Sequence, residues 1–237
     1  MTFDVYSALA GTDAGRERSS SGVGPSSFFG AECQTGRTFA GHQAVNDNAD
    51  KLPAILGTAI HSALEQALAD QGQHEITVEY AGITGHADFL PHDPADLLVD
   101  WKTTTLKKLA YIKRDGPTKT YRAQASFYAM ATGRTRVRIV YIPRDGGRKD
   151  IHTAEFDRDD ALVHEAVAWY YALRARVARG DIPAPSPPWA ALAKARDVCA
   201  RYCEFFDRTG TQGCPGPEPA PKLPPSLGGL FTPPAAT

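Results

Sequence analysis

Apolar and polar positions along the chain follow two periods, which predict an ordered series of helices and strands. Ile60, Ala63, Leu64 and Ala67 recur at the spacing of one helix face. Other stretches alternate with period two between Gly-, Pro- and Asp-containing turns, which is typical of strands. The pattern predicts helices over 54–70, 120–132 and 159–179, strands over 75–80, 83–90, 96–103, 135–142 and 149–156, a short helix or turn within 26–39, and a basic connector over 105–119.

The two ends of the chain differ in composition from its middle. Residues 1–25 are rich in Gly and Ser, and residues 215–237 are rich in Pro and Gly. Such segments carry too few apolar side chains to bury against a core. We therefore predict a loosely ordered N-terminal segment (1–25), one folded domain (26–214) and a disordered Pro-rich tail (215–237) in this chain of 237 residues.

Two aspartates and a lysine stand out within the predicted strands. Asp88 lies near the end of one alternating run, and Asp100 and Lys102 follow the apolar run Leu97–Val99. Because side chains alternate along a strand, Asp100 and Lys102 share one face and Trp101 takes the other. A surface ion pair would also explain Asp100 and Lys102. Charges that follow a buried run are costly without partners, so the pattern favours a site where two carboxylates bind a divalent metal.

Polar residues four apart on two predicted helices add candidates for the same site. His61 and Glu65 share a face of the first helix, and Gln124 and Tyr128 share a face of the second. Each pair alone is equally compatible with an ordinary amphipathic helix. Glu65 is a candidate for fixing the tautomer of His61.

In this order the residues resemble the RecB-type PD-(D/E)XK nucleases. The resemblance extends from about residue 26 to residue 214 and implies an α/β, restriction-endonuclease-like core, in which helices flank a central mixed sheet. The matching pattern is GxxxH (Gly57, His61), GxxD (Gly85, Asp88), D-x-K (Asp100, Lys102) and QxxxY (Gln124, Tyr128).

The resemblance implies metal-dependent hydrolysis of DNA. Its catalytic residues would be Asp88, Asp100 and Lys102, and its Mg²⁺ or Mn²⁺ ligands His61, Asp88 and Asp100, with the His61 nitrogen favouring Mn²⁺. Lys102 would orient or help deprotonate the attacking water. Two further residues, Gln124 and Tyr128, would position the nucleic acid or brace the active strand. The implied substrate is DNA with single-stranded ends, degraded 5′-to-3′ in recombination, repair or CRISPR-type processing.

Four cysteines flank these motifs, with Cys33 before them and Cys199, Cys203 and Cys214 after them. The chain opens without a secretory signal, so we expect a reducing cytoplasm, which disfavours disulfides and favours metal ligation; buried structural thiols stay open. The one-plus-three arrangement resembles the CRISPR-associated Cas-four type iron–sulfur exonucleases and the nuclease domains of AddB. It implies a 4Fe–4S cluster formed by both chain ends, with zinc as the alternative. The C-x3-C-x10-C spacing departs from the family's tighter pattern, whereas Arg37 matches its basic residue after the first cysteine.

Composition fits a soluble cytoplasmic enzyme, bacterial or phage-encoded, and restricts DNA contact to a local surface. The net charge of −1 argues against a broad, non-specific DNA coat, and no run reaches transmembrane length. Lys107 and Lys108 belong to a basic stretch beside the proposed site, so they are candidate DNA contacts, and Arg37 is a further candidate for DNA binding or support.

Two other classes of function stay open from the sequence. One is a catalytically weak DNA-binding or assembly factor of a recombination complex, and the other is a non-nuclease metalloprotein with structural zinc. In the tail, Ser226, Leu227, Leu230 and Phe231 loosely resemble peptides that bind bacterial sliding clamps. A recombination or replication partner is therefore a hypothesis for the tail.

Overall fold

A five-stranded mixed sheet forms the centre of the protein, in a computed structural model that describes residues 22–190, 192 and 194–218. The third and fourth strands along the chain pair in parallel, and all other neighbouring strands pair antiparallel. The predicted mixed sheet is therefore confirmed. The strands follow one another in chain order: β1 (Gly72–Tyr80), β2 (Ile83–Pro91), β3 (Leu97–Thr104), β4 (Arg136–Pro143) and β5 (His152–Asp157).

Helices flank the sheet, and the predicted helices over 54–70, 120–132 and 159–179 are found within a few residues of those bounds. The helix Lys119–Ala131 crosses one face of the sheet and contacts β1 to β4, and the helix Asp160–Ala178 packs over it. None of the helices in the described part of the chain is both long and apolar enough to cross a membrane. The helices are α1 (Glu32–Phe39), α2 (Leu52–Ala67), α3 (Leu106–Asp115), α4 (Lys119–Ala131), α5 (Asp160–Ala178) and α6 (Ala195–Tyr202).

The prediction of a basic connector over 105–119 is wrong, because helix α3 occupies most of it. Thr105 caps the first turn of this helix through its hydroxyl, Leu109 and Ile112 are buried, and Gly116 ends the helix with φ +79°. The stretch is rich in lysine and its apolar face has only two buried residues, so the sequence pattern did not indicate a helix.

The main core lies between the sheet and helices α4 and α5. Its centre includes Phe28 and Phe127, both fully buried, whose rings meet edge to face with centroids 5.4 Å apart. Val23 is also buried in this core, so the packed chain begins before the predicted boundary at residue 26. Most of the predicted N-terminal segment and the tail residues 226–231 lie outside the described residues.

Candidate active site and cysteine cluster

The pairing of the first three strands brings three carboxylates together. Glu75 lies opposite Asp88, between regular pairs of the β1–β2 ladder. Asp88 and Asp100 are the residues next to the Phe89–Val99 pair that joins β2 to β3. The motif pattern identified Asp88 and Asp100 but missed Glu75, whose position depends on strand register.

His61 completes a group of side chains suited to a divalent cation. One ligand atom from each of His61, Glu75 and Asp88 lies within 4.8 Å of the other two, and His61 Nδ1 is 3.7 Å from Asp88 Oδ1. Glu75 adopts φ +47°, in the left-handed region that a non-glycine residue rarely occupies. Such strain costs about 1–3 kcal/mol and is concentrated at functional sites.

The peptide groups of Trp101 brace this group from the neighbouring strand. Its N–H donates to Asp88 Oδ2 at 2.8 Å, and its carbonyl lies 3.1 Å from His61 Nε2. A carbonyl can only accept, so Nε2 carries the proton and Nδ1 keeps its lone pair toward Asp88. The Trp101 carbonyl thus takes the role predicted for Glu65, which is exposed. The Trp101 ring stacks on Phe89 on the opposite face, as the alternation predicts.

Asp100 and Lys102 form a buried ion pair beside the three ligands. Lys102 Nζ lies 2.7 Å from Asp100 Oδ2, and the Asp100 side chain is fully buried. Apart from this ion pair, neither Asp100 oxygen has a hydrogen-bond donor among the described residues. A buried carboxylate with unused acceptor capacity fits a cation that is held next to it.

The electrostatics of the site also favour a bound cation. Burial, followed by the negative charge of Asp100, raises the pKa of Asp88 to about 7. Burial and the charge of Lys102 lower the pKa of His61, which keeps its imidazole neutral as a ligand must be. Burial opposes the charge on Lys102, but Asp100 and Asp88 outweigh it and raise the Lys102 pKa. A divalent cation would offset the repulsion between the two aspartates, so the residues present fit such an ion.

Gln124 and Tyr128 form one wall of the cleft above these groups. Gln124 Nε2 donates to the Tyr128 hydroxyl at 3.3 Å, and both side chains are buried. Burial raises the pKa of Tyr128, so its hydroxyl is protonated at neutral pH. The cleft has a volume of about 690 Å³ and is also lined by His61, Gly85, Asp88 and Lys102, so each of the four motifs contributes at least one residue, whereas Gly57 and Asp100 are not among the lining residues.

The candidate DNA contacts separate into two places. Lys107 and Lys108 are exposed on α3, and Lys108 lines a second cavity that shares Lys102 with the cleft. Arg37 is not among the residues that line the cleft. It lies near Cys33, where its positive charge counteracts part of the burial-driven rise in the Cys33 pKa. Arg37 therefore lies beside Cys33 and outside the lining of the cleft.

All four cysteines are buried free thiols. Cys199, Cys203 and Cys214 pack in one small apolar cluster with Phe205 and Phe206. The N-terminal part of the chain is joined to this cluster through Asn46, whose Nδ2 donates to the carbonyls of Ala200 and Cys203 at 2.8 and 2.9 Å.

Burial and the charges of other thiols raise the pKa of Cys33 and Cys203. Burial, followed by the charges of Cys214 and Cys199, raises the Cys33 pKa. Burial raises the pKa of Cys203 to about 11, and the other three thiols add to the rise. Any metal or cluster bound here would have to displace these protons.

The two motif glycines differ in how tightly they are enclosed, which gives a stability prediction. A Cβ at Gly85 would lie 2.7 Å from Tyr128 Cε1 and 2.9 Å from Pro25 Cδ, whereas one at Gly57 would lie 3.4 Å from Thr103 Oγ1. We expect Gly85→Ala to cost about 1–3 kcal/mol by overpacking. Gly57→Ala, within helix α2, should be neutral or stabilise by up to about 1 kcal/mol. Urea unfolding of both variants measures this, and equal midpoints would contradict the assigned packing.

Comparisons with known proteins identify the fold. No protein-family model and no curated protein matches the sequence. A crystal structure of a protein designated SSO0001 is similar over 86% of this chain and 96% of its own, with a TM-score of 0.51 and 15% sequence identity. An alkaline exonuclease from Laribacter hongkongensis is similar over 67% of this chain and 89% of its own, with a TM-score of 0.50 and 18% identity. The chain thus shares its fold with an exonuclease.

Proposed function

We propose that this protein is a metal-dependent DNA exonuclease of the RecB-like PD-(D/E)XK class. The observation that carries the proposal is the convergence of His61, Glu75 and Asp88 within 4.8 Å of one another, beside the buried Asp100–Lys102 pair. The proposed substrate is single-stranded DNA ends degraded 5′-to-3′, in recombination, repair or CRISPR-type processing. The fold shared with an alkaline exonuclease supports this assignment.

The residues at the proposed site have different roles in catalysis. His61 Nδ1, Glu75, Asp88 and Asp100 would hold Mg²⁺ or Mn²⁺, and the imidazole nitrogen would favour Mn²⁺. A bound divalent cation supplies Lewis-acid activation of the phosphate and of the attacking water. Lys102, held by Asp100 at 2.7 Å, orients that water and offsets negative charge that develops on the phosphate.

The remaining cleft residues have a positioning role in the proposal. The Gln124–Tyr128 hydrogen bond holds a neutral hydroxyl and an amide against the cleft, where they can contact the DNA backbone. The Trp101 peptide fixes both His61 and Asp88 and so keeps the ligands in place when the strand binds.

We further propose that the four cysteines bind a 4Fe–4S cluster, as in the Cas-four type enzymes. Three observations support this proposal: all four thiols are buried, Cys199, Cys203 and Cys214 pack in one apolar cluster, and the Trp189 Nε1–H donates to Cys199 Sγ at 3.3 Å. Buried Arg37 Nε and Nη1 have no hydrogen-bond partner among the described residues, and their charge suits an anionic cluster. A single zinc with Zn–S bonds of about 2.3 Å needs more closely spaced sulfurs. No three cysteines of the described chain form a ligand group within 4.8 Å, so their spacing does not match a single zinc.

The nuclease proposal is tested by cleavage of end-labelled single-stranded DNA in Mn²⁺ and in EDTA. We expect cleavage only with the metal, and the order of products from 5′- and 3′-labelled strands reports the direction. Glu75→Gln should need a several-fold higher Mn²⁺ concentration for half-maximal activity, because it loses one charged ligand. Glu79→Gln, on the same strand but exposed, is the matched control and should behave as wild type.

Two results would refute these assignments. Absence of cleavage in Mn²⁺ on any single-stranded or double-stranded end would overturn the nuclease function. An unchanged Mn²⁺ requirement in Glu75→Gln would remove Glu75 from the metal site while leaving the activity itself in place.

A further inference from the structure

A second cavity shares Lys102 with the cleft that contains the metal ligands. It has a volume of about 310 Å³ and is enclosed by α3, the start of α4 and the carboxyl ends of the parallel strands β3 and β4. Ligands of open α/β sheets bind at the carboxyl ends of parallel strands. Lys102 is the only residue that lines both this cavity and the cleft, within the part of the chain that the structure describes.

Tyr141 lines this cavity and carries a buried hydroxyl. Tyr141 is fully buried on β4, in register with Lys102 on β3, and its hydroxyl has no hydrogen-bond partner among the described residues. Buried polar groups are nearly always satisfied, and an unsatisfied one costs about 1–3 kcal/mol. A hydroxyl without a partner among the described residues, on a residue that lines a cavity, therefore indicates a ligand that can accept its hydrogen bond.

The charge of the cavity identifies the ligand as an anion. Lys102, Lys108 and Arg144 line it, and no Asp or Glu is among the described lining residues. Arg144 is fixed in place, because its Nη1 donates to the Pro53 carbonyl at 3.1 Å and to Thr103 Oγ1 at 3.4 Å. Arginine and lysine next to hydroxyl donors are the groups that recognise phosphate.

We infer that this cavity binds the terminal phosphate monoester of a DNA strand while a neighbouring phosphodiester lies at the metal site. The inference rests on the proposed nuclease function and adds which DNA end the enzyme prefers, namely one that carries a phosphate. A monoester carries close to two negative charges at neutral pH and three acceptor oxygens, whereas a diester carries one charge. Asp100 already balances the charge of Lys102, so Lys108 and Arg144, together with the Tyr141 hydroxyl, are the groups that match the two charges of the monoester. The shared Lys102 links the two cavities, so an anchored end presents the adjacent ester to the catalytic groups.

The first experiment measures binding without any catalysis. In EDTA, inorganic phosphate should raise the melting temperature of wild-type protein by a few degrees relative to chloride at equal ionic strength, because it binds only the folded state. The rise should disappear in Tyr141→Phe and in Arg144→Gln. Tyr141→Phe should fold at least as well as wild type, because it deletes a hydroxyl that has no hydrogen-bond partner in the described part of the chain. A phosphate-induced rise of equal size in all three proteins would refute the site.

The second experiment measures end selection in Mn²⁺ with three otherwise identical oligonucleotides that carry a 5′-phosphate, a 3′-phosphate or hydroxyls at both ends. We expect the 5′-phosphate strand to be cleaved about tenfold faster than the hydroxyl strand, as one hydrogen bond to a charged group is worth that factor. Tyr141→Phe should remove the preference and leave cleavage of the hydroxyl strand intact. Lys108→Gln should reduce the preference, whereas Lys113→Gln, also exposed on α3 but outside the cavity, should not.

The outcomes separate this inference from the proposed function. Equal cleavage of all three strands overturns the terminal-phosphate site while the nuclease stands. A preference for the 3′-phosphate that Tyr141→Phe abolishes supports the site and overturns the 5′-to-3′ direction. A phosphate-induced rise in melting temperature without cleavage of any strand supports the cavity as an anion site and overturns both the nuclease function and the end-selection step.

Discussion

Asp100→Asn should lower the rate of DNA cleavage about a thousandfold or more, because a metal ligand contributes several kcal/mol to transition-state stabilisation. Asp100 is fully buried, and apart from the Lys102 ion pair its oxygens have no donor among the described residues. An amide of the same size fills the same space but offers a cation one neutral oxygen in place of a carboxylate. We expect the loss in turnover at every Mn²⁺ concentration.

The folded state should survive this substitution. Asp88 also contributes to the raised pKa of Lys102, so a counter-charge for the ammonium remains when Asp100 becomes neutral. Circular dichroism and the melting temperature in EDTA would show whether the fold is kept. The stabilisation that Mn²⁺ gives to wild-type protein should be reduced in the variant, since metal binding to the native state raises stability by mass action.

Asp96→Asn is the matched control for this experiment. Asp96 lies just before the same strand, is exposed, and pairs with Arg136 at 2.7 Å on the surface. Exposed ion pairs of this kind contribute about 0–1 kcal/mol, so this variant should cleave at the wild-type rate. If Asp100→Asn cut DNA as fast as Asp96→Asn, Asp100 would not be a metal ligand.

Strand alternation was sufficient to predict one half of the candidate site. The period-two rule placed Asp100 and Lys102 on one face and Trp101 on the other, and the structure has this arrangement. Helical spacing likewise placed Gln124 beside Tyr128, and the two are hydrogen-bonded. These relations lie within single elements, so the local period of the backbone determines them.

The other half depends on contacts between elements, which no local period encodes. Glu75 reaches the site because β1 pairs with β2 in one register and because its φ is +47°. In the sequence it is one acidic residue in an ordinary alternating strand. The role of Tyr141 is equally hard to predict. The alternation of β4 predicts that its side chain is buried, but not that its hydroxyl has no hydrogen-bond partner among the described residues. Helix α3 was missed for a different reason, because its charged residues outnumber the two buried positions that define its face.

Cys33→Ser should have the largest effect on stability of any single substitution that we consider. A cluster that joins Cys33 to Cys199, Cys203 and Cys214 would close a loop of 166 residues (199 − 33). Constraining a loop of that length stabilises the folded chain by about 3–5 kcal/mol in the simplest entropy model. For a chain of this size, each kcal/mol shifts the melting temperature by about 2–4 °C, so a loss of about 10 °C is expected.

The variant should also lose the visible absorbance of the iron–sulfur cluster. Protein purified without oxygen should contain iron and sulfide when it is wild type, and neither when Cys33 is Ser. Gln34→Ser, the next residue on helix α1, controls for the effect of a serine in this helix and should keep both the absorbance and the melting temperature. Zinc in place of iron, with the same loss of stability in Cys33→Ser, would keep the ligand set and change the cofactor. A colourless, metal-free wild-type protein with four titratable thiols would refute the cluster, and the cysteines would then be buried structural thiols.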